Sequence, residues 1–216
     1  LKAFKSMILK SYAKLNLTLS VNKKLKIGLH NIQSIYCLID LYDKISIKKI
    51  KNSNSDKISF NGPFSKDINQ YNNSVKKVLN AMRKNKITKD YYSIKINKKI
   101  PVFAGFGGGT SNAATLLKHF SKKKLDKKIL NKIVKEVGSD LILFFHDQGY
   151  QKNLKSVIKL KKKYQFHFLL VFPKIKSSTK TVYYKVKNYT KFKMPINKNL
   201  LLKSNFISLL VKSKND

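Results

Sequence analysis

The sequence predicts a mixed α/β or α+β chain, because segments with strand periodicity are interrupted by segments with helix periodicity. Residues Tyr92–Ile96 alternate between apolar and polar, which is typical of a strand with one buried face. Residues Val75–Met82 repeat apolar positions at the spacing of one helix face. The chain has 216 residues, of which 42% are hydrophobic, including 13 Phe and 11 Tyr. This content is enough for a core, so wholesale disorder is not expected.

The pattern of apolar residues in the N-terminal part of the chain predicts strands. Met7–Tyr12 and Leu15–Val21 are short apolar runs around a small polar break. The alternation of Ile45 and Ile47 predicts a further strand within Tyr36–Ile50, on a sheet with one solvent-exposed face.

The middle of the chain begins with a polar segment, Ser53–Asn72, which contains Gly62-Pro63 and predicts a loop with a short strand at Ile58–Phe60. Asn73 is a favourable N-cap for the helix that follows. Pro101 closes the strand predicted around Tyr92–Ile96.

The C-terminal half alternates between the two types of element. Helices are predicted at Ser111–Phe120 and Asp126–Val137, the second with its apolar residues on one face. Leu141–Phe145 and Phe166–Phe172 are apolar runs that predict buried strands, and Leu200–Val211 has helical character.

The charge of the chain is extreme: 47 Lys and Arg face 10 Asp and Glu, which gives a net charge of +37. Such a charge is typical of nucleic-acid binders. However, Arg83 is the only arginine, and the lysines are spread along the whole chain. Lys, Asn, Ile, Phe and Tyr are abundant together, as expected from an A+T-rich genome. Compositional drift is therefore favoured over selection for a polyanionic partner, although the charge still attracts anionic small molecules.

Several classes of protein are excluded or disfavoured by composition. No apolar run approaches the roughly 18 residues of a membrane span. A single cysteine, Cys37, excludes an internal disulfide framework. The four histidines lie too far apart in sequence for a local zinc motif, and no metal-ligating residue is predicted. These features predict a cytoplasmic globular protein.

The strongest local signal is a glycine-rich segment before a predicted helix. Four of the eight glycines lie within Gly105–Gly109, and Thr110 and Ser111 follow. Backbone N–H groups at a helix N-terminus, free of Cβ crowding, bind anions such as phosphate. No lysine precedes the Thr-Ser pair, so this is not a Walker A loop, and the glycines are too dense for a dinucleotide fingerprint. The alternative is an ordinary glycine turn between a strand and a helix.

Two further features, Asp140 and the pair Lys14 and Asn16, indicate a catalytic site only when they are considered together. Asp140 follows Gly138-Ser139 directly before an apolar run, where a carboxylate can accept a hydroxyl proton. Lys14 and Asn16 lie at the start of the second predicted strand, and a lysine near Asp140 would lower the pKa of that carboxylate. Taken alone, Asp140 is as consistent with a turn or a helix cap, and His30 with an ordinary surface or core residue.

The order of these segments resembles that of the GHMP small-molecule kinases. The segments that carry the resemblance are Ala13–Leu17, Gly28–Ile32, the glycine-rich segment, Gly138–Asp140 and Ser177–Tyr183. Within this family, the chain resembles kinases that phosphorylate 4-diphosphocytidyl-2-C-methyl-D-erythritol in non-mevalonate isoprenoid biosynthesis. The resemblance extends from about Met7 to Asp216.

The resemblance implies an α+β fold with two domains. Residues 1–152 would form the GHMP kinase N-terminal domain, of the ribosomal-protein-S5-domain-2-like type. Residues 153–216 would form part of the C-terminal domain, because family members continue for several dozen residues with another glycine-rich motif. Leu1 is not a start residue, so Leu1–Ser6 is expected to lie outside the natural reading frame. We expect a chain of this length to expose apolar side chains around Phe168–Phe172 and to be poorly stable or inactive.

The resemblance also implies roles for individual residues. Asp140 would accept the proton of the substrate hydroxyl, and Lys14 would hold Asp140 and the hydroxyl in place. Asn16 and Thr179 would bind the erythritol and phosphate region, while His30 and Tyr183 would bind the cytosine. ATP, with Mg²⁺, would bind at Pro101, Ala104, Gly105, Gly107, Gly108, Gly109, Thr110 and Ser111.

One departure bears on the substrate: Leu29 stands where the family has a tyrosine, which removes one ring beside the cytosine. Base–aromatic stacking is worth roughly 1–3 kcal/mol, so cytidine affinity would be weaker. The alternatives that stay open are another GHMP small-molecule kinase, a lysine-rich nucleic-acid-binding module and a decayed fragment. The expected partner is a small cytidine diphosphate derivative, neither a membrane nor a nucleic acid, and a homodimer is left open.

Overall fold

The computed structural model describes residues 7–26, 28–122, 125–160, 163–173, 179–186, 189–190 and 203–213. Their strands are β1 (Met7–Asn16), β2 (Ser20–Lys24), β3 (His30–Ile50), β4 (Lys57–Asn61), β5 (Tyr91–Asn97), β6 (Gln148–Asn153) and β7 (Ser156–Lys159). Their helices are α1 (Ser74–Lys84), α2 (Gly108–Phe120), α3 (Lys127–Val137), a 3₁₀ helix (Ser139–Phe145), α4 (Thr179–Tyr184) and α5 (Lys203–Lys212).

The chain folds into two compact units, neither of which is continuous in sequence. The first unit contains the described residues up to Lys14, together with Ile39–Val102 and Phe106–Phe145. The second contains Leu15–Leu38, Phe103–Gly105 and the described residues from His146 onward. The domain boundary predicted between residues 152 and 153 stays a prediction.

The first unit is built on mixed strand pairing. The second half of β3 pairs antiparallel with β5, from Lys44 opposite Asn97 to Ile50 opposite Tyr91. β5 in turn pairs in parallel with β4, and α1 lies between these two strands in sequence. Helix α1 packs against both α2 and α3. Its buried side chains, at the spacing of one helix face, are Val75, Val78, Leu79, Ala81 and Met82.

The strands of the second unit pair in antiparallel orientation. The first half of β3 pairs with β2 and with β6, and β6 pairs with β7. A small core forms around Ile35 and Tyr150, which occupy opposite positions on β3 and β6. Tyr164 and Phe206 complete it, with their rings stacked at 4.4 Å between centroids.

Most of the predicted elements are confirmed. Asn73 caps α1, because its side chain accepts a hydrogen bond of 3.0 Å from the backbone N–H of Lys76. Asp126 caps α3 in the same way, through the N–H groups of Lys128 and Ile129. At the N-terminus, β1 continues as one strand to Asn16, so the break comes later than predicted.

Two predicted strands are wrong. Leu141–Phe145 lies in the 3₁₀ helix, which buries Leu141, Leu143 and Phe144. Phe166–Phe172 has no regular secondary structure. As expected, apolar side chains are exposed here, with Leu169 92% and Val171 79% accessible. No helix in the described part of the chain is long and apolar enough to cross a bilayer.

Candidate functional site

The glycine-rich segment leads directly into α2, as the sequence predicts. Gly107 is the N-cap residue of α2 and has a left-handed conformation, with φ of 66° and ψ of 23°. No side chain in the described part of the structure caps the helix at this position. The first N–H groups of a helix have no partner within the helix, so this end is suited to an anion.

The residues predicted to bind ATP lie along this segment. Gly105 and Gly109 are exposed, and Pro101, Ala104 and Thr110 are half-buried. A Cβ atom at Gly105 would meet no atom within 4 Å, so the backbone here is open to a ligand.

Gly107 is packed against the 3₁₀ helix. A Cβ atom at Gly107 would lie 2.8 Å from Cζ of Phe144. The carbonyl of Phe144 accepts a hydrogen bond of 2.8 Å from Nζ of Lys118 on α2. The 3₁₀ helix that begins at Ser139 and contains the half-buried Asp140 is thereby fixed against the glycine-rich segment.

Lys14, on β1, approaches the same segment. Its backbone N–H donates a hydrogen bond of 3.0 Å to the carbonyl of Phe106, and Lys14 is 4% exposed. The two residues predicted to be catalytic, Lys14 and Asp140, therefore belong to elements that contact the adjacent residues Phe106 and Gly107 in one unit.

Ser111 has a structural role in this geometry. Its hydroxyl donates to the carbonyl of Tyr12 at 2.6 Å and lies 2.8 Å from the hydroxyl of Ser11. Its backbone N–H bonds to the carbonyl of Gly107, and the residue is 1% exposed. These contacts fix α2 to β1, and the role of Ser111 in phosphate binding stays a prediction.

A buried ion pair lies beneath the start of α2. Lys98 and Asp43 are 2% and 0% exposed, and Nζ of Lys98 bonds to Oδ2 of Asp43. The same Nζ donates to Oδ1 of Asn112 at 3.1 Å. Burial lowers the pKa of the Lys98 ammonium, and Asp43 opposes that shift.

Sequence reasoning missed this pair, although a signal was present. Asp43, Ile45 and Ile47 are spaced by two residues, so all three lie on the same face of β3. The alternation of the two isoleucines predicts that this face is buried. A carboxylate on such a face requires a partner. Nothing local in the sequence distinguishes Lys98 from the other lysines.

The second unit contains most of the residues predicted to bind substrate. The hydroxyl of Ser34 donates to Oδ1 of Asn16 at 3.1 Å, so Asn16 is oriented by β3. The ring of His30 stacks on that of Tyr183, with 5.6 Å between centroids and 22° between planes. Tyr189 lies near His30 as well, at 6.3 Å. Thr179 is the first residue of α4.

Comparisons with known proteins identify the family of the chain. Residues 73–147 match the family model for the GHMP kinases N terminal domain. A Pelagibacter ubique protein is 41% identical over 196 residues, which are 86% of this chain and 67% of that protein. A Ureaplasma parvum protein is 33% identical over 185 residues, which are 83% and 69% of the two chains. Both are named 4-diphosphocytidyl-2-C-methyl-D-erythritol kinase.

The chain belongs to the 4-diphosphocytidyl-2-C-methyl-D-erythritol kinase family. The predicted resemblance to small-molecule GHMP kinases is thus confirmed, and ATP is the phosphoryl donor that membership of a kinase family implies.

Solved structures show the same fold. A crystal structure of 4-(cytidine 5'-diphospho)-2C-methyl-D-erythritol kinase aligns with a TM-score of 0.50 at 22% identity, over 68% of this chain and 54% of that one. A homoserine kinase from Cytophaga hutchinsonii aligns with a TM-score of 0.53 at 11% identity, over 74% and 53%. The predicted α+β GHMP-kinase fold is confirmed. The chain spans about two thirds of the length of its named relatives and about half that of these solved structures.

Proposed function

We propose that this member of the family transfers the γ-phosphoryl group of ATP to the 2-hydroxyl of 4-diphosphocytidyl-2-C-methyl-D-erythritol. One observation supports it most strongly: the uncapped start of α2 lies against both β1, at Lys14, and the 3₁₀ helix that contains Asp140. The predicted phosphate site, base and cation would thus be supplied by elements in mutual contact. The names of the relatives supply the substrate.

The glycine-rich segment would hold the phosphates through its backbone. Gly105, Gly107, Gly108 and Gly109 present N–H groups without side chains that would obstruct a phosphate. The positive end of the α2 dipole adds to the attraction. Phosphoryl transfer depends mainly on such positioning and neutralisation of charge.

Asp140 would act as general base. Its carboxylate takes the proton of the 2-hydroxyl as the hydroxyl oxygen bonds to the γ-phosphorus. The bond from that phosphorus to the β–γ bridging oxygen breaks, and ADP leaves with the electron pair. Lys14, buried on β1, would orient Asp140 and the reacting hydroxyl through its ammonium.

Mg²⁺ would be held largely by the phosphates of ATP. Within the described ranges, no cluster of three or more His, Cys, Asp or Glu residues could hold a metal ion. Mg²⁺ usually binds one or two carboxylates and substrate phosphates, with water in the other positions. Mg²⁺ supplies neutralisation of the charge on the phosphoryl group when bound.

Residues of the second unit would recognise the cytidine portion. His30 would hydrogen-bond the cytosine, and Tyr183, whose ring centroid lies 5.6 Å from that of His30, would stack on it. Asn16 would bind the erythritol and phosphate region, and Thr179 would do the same from α4.

The test of the proposed function is ADP release by the full-length natural protein with ATP, Mg²⁺ and 4-diphosphocytidyl-2-C-methyl-D-erythritol. We expect Asp140→Asn to abolish turnover while the melting temperature stays unchanged. Asp90→Asn is a matched control, because Asp90 is an aspartate of the same unit whose ion pair with Lys49 is exposed. Turnover that survives Asp140→Asn would place the base elsewhere.

A second measurement concerns the substrate. CMP is expected to compete with the methylerythritol substrate, and His30→Ala should weaken that competition. Equal turnover with homoserine and no inhibition by CMP would favour another GHMP kinase activity.

A further inference from the structure

Asp43 is a fully buried carboxylate in an apolar stretch of β3. Its Oδ1 accepts hydrogen bonds from the backbone N–H groups of Lys99, at 2.8 Å, and Ile100, at 2.9 Å. Its Oδ2 accepts from Nδ2 of Asn112 at 2.9 Å and from Nζ of Lys98. Every one of these donors belongs to a residue within a few positions of the glycine-rich segment.

The donors lie on both sides of that segment. Lys98, Lys99 and Ile100 precede it by five to seven positions, and Asn112 follows it by three positions, in the first turns of α2. The Asp43 carboxylate therefore joins the residues that enter the segment to the helix that leaves it. Both ends of the segment are fixed to a single point on β3.

Charge determines which way the Asn112 amide faces. Its Oδ1 accepts from the Lys98 ammonium, and its Nδ2 donates to Asp43 and, at 2.9 Å, to Oγ of Ser11. A flipped amide would place its NH₂ group against the ammonium and its oxygen against the carboxylate. The ion pair thus orients Asn112, and Asn112 extends the network to β1.

The Lys98 ammonium also lies directly below the start of the helix. A Cβ atom at Gly108, the first residue of α2, would be 3.3 Å from Nζ of Lys98 and 3.0 Å from Cγ2 of Ile100. The backbone at the predicted phosphate site therefore rests on the lysine and the isoleucine that precede the segment.

We infer that Asp43, Lys98 and Asn112 are positioning residues, which hold the two ends of the glycine-rich segment so that its N–H groups converge on the phosphates of the nucleotide. This inference rests on the proposed function, because it assumes that the segment binds a nucleotide. The three residues act through the backbone of the segment and have no direct contact with the reacting atoms.

The chain contains a matched control for a structural role alone. Asp56 is a carboxylate of the same unit, with a side chain 7% exposed, that also bonds a cation, Arg83, and a backbone N–H, that of Tyr92. It lies between β3 and β4 in sequence, and its recorded partners belong to α1 and β5. Loss of its ion pair should lower stability without changing the glycine-rich segment.

The experiment measures dissociation constants for ADP and for adenosine by calorimetry, with the melting temperature of each variant. For Asp43→Asn and Lys98→Met, we expect affinity for ADP to fall about tenfold or more, as displaced binding groups commonly cause, while affinity for adenosine changes little. For Asp56→Asn, we expect a lower melting temperature and unchanged affinity for both ligands. If Asp43→Asn does not fold, Asn112→Ala breaks the link to α2 while the ion pair is retained, and the same loss of ADP affinity is expected.

Three outcomes separate the two proposals. Selective loss of ADP affinity in the network variants supports the inference. Unchanged ADP affinity in folded variants, or an equal loss for ADP and adenosine, overturns the inference and leaves the proposed function standing. A full-length wild-type protein that folds and binds neither ligand overturns the proposed function, and the inference with it.

Discussion

Substitution of Gly107 by alanine would test the contact between the glycine-rich segment and the 3₁₀ helix. An alanine at a φ of 66° has left-handed strain, which costs about 1–2 kcal/mol. The new Cβ would also lie 2.8 Å from Cζ of Phe144, and overpacking of this kind typically costs about 1–3 kcal/mol. The expected loss in the free energy of unfolding is the sum, about 2–5 kcal/mol. For a chain of this length, each kcal/mol lowers the melting temperature by about 2–4 °C, so we expect a decrease of about 4–20 °C.

Calorimetric melting of three variants separates the two costs. Gly105→Ala has the same strain, with φ of 77°, but no atom within 4 Å of the new Cβ, so about 1–2 kcal/mol is expected. Gly109→Ala has neither cost, because its φ is not left-handed and its nearest neighbour is Oγ of Ser74 at 3.5 Å. The reasoning would be refuted if Gly107→Ala and Gly105→Ala lost equal stability. It would also be refuted if Phe144→Leu failed to relieve the excess cost of Gly107→Ala.

Three other substitutions have directions that follow from single contacts. The Tyr36 hydroxyl is buried and has no hydrogen-bond partner among the described residues, so Tyr36→Phe should leave stability unchanged or raise it by up to about 3 kcal/mol in urea unfolding. Burial raises the pKa of Tyr36, so the folded chain keeps a proton that the unfolded chain loses above a pH of about 10. The free energy of unfolding should therefore fall as the pH rises beyond that point, and it should fall less steeply in Tyr36→Phe. Arg83→Lys should lower the free energy of unfolding by about 1–3 kcal/mol. Lysine cannot keep both hydrogen bonds from the guanidinium to the Asp56 carboxylate, of 2.7 and 3.3 Å, or the stacking of the guanidinium on the Tyr91 ring at 4.6 Å. An unchanged urea midpoint would contradict this prediction. Asn73→Ala should cost about 1 kcal/mol or more, because it removes the cap of α1 and the hydrogen bonds that Nδ2 donates to the carbonyls of Asn69 and Gln70. Asn73→Asp keeps the capping acceptor but loses those two bonds, so its melting temperature should lie between those of Asn73→Ala and the wild type.

The parts of the fold that sequence predicts well are those with local causes. The caps at Asn73 and Asp126, the amphipathic faces of α1 and α3, and the glycines before α2 all depend on residues within a few positions of one another. The short motifs that predict the kinase family are also each contained within a few successive residues.

The errors arise where the pattern is ambiguous or the partner is distant. Five successive apolar residues, Leu141–Phe145, fit a buried strand and a buried helical turn equally well. The 3₁₀ helix forms because Leu141, Leu143 and Phe144 all find buried surroundings, and Lys118 satisfies the carbonyl of Phe144. Strand periodicity contains no information about that tertiary hydrogen bond.

The candidate site shows the same division. Its glycines and Asp140 were found from sequence, whereas the Asp43–Lys98 pair was not, since 55 positions separate the two residues. Ser111, the predicted start of α2, lies three residues inside the helix, which begins at Gly108. Its hydroxyl bonds to β1, which no local pattern could reveal.

The network around Asn112 also sets an order in which the site can form during synthesis. Asn112 bonds to Ser11, 101 positions earlier, and to Asp43, 69 positions earlier. Contacts between residues so far apart form slowly, because a long loop must close before they contribute. A nascent chain must therefore have residue 112 clear of the ribosome before the glycine-rich segment has its two anchors. If the proposed function holds, nucleotide binding would report that the first unit has closed, since none of its earlier intermediates could hold the segment in the binding geometry.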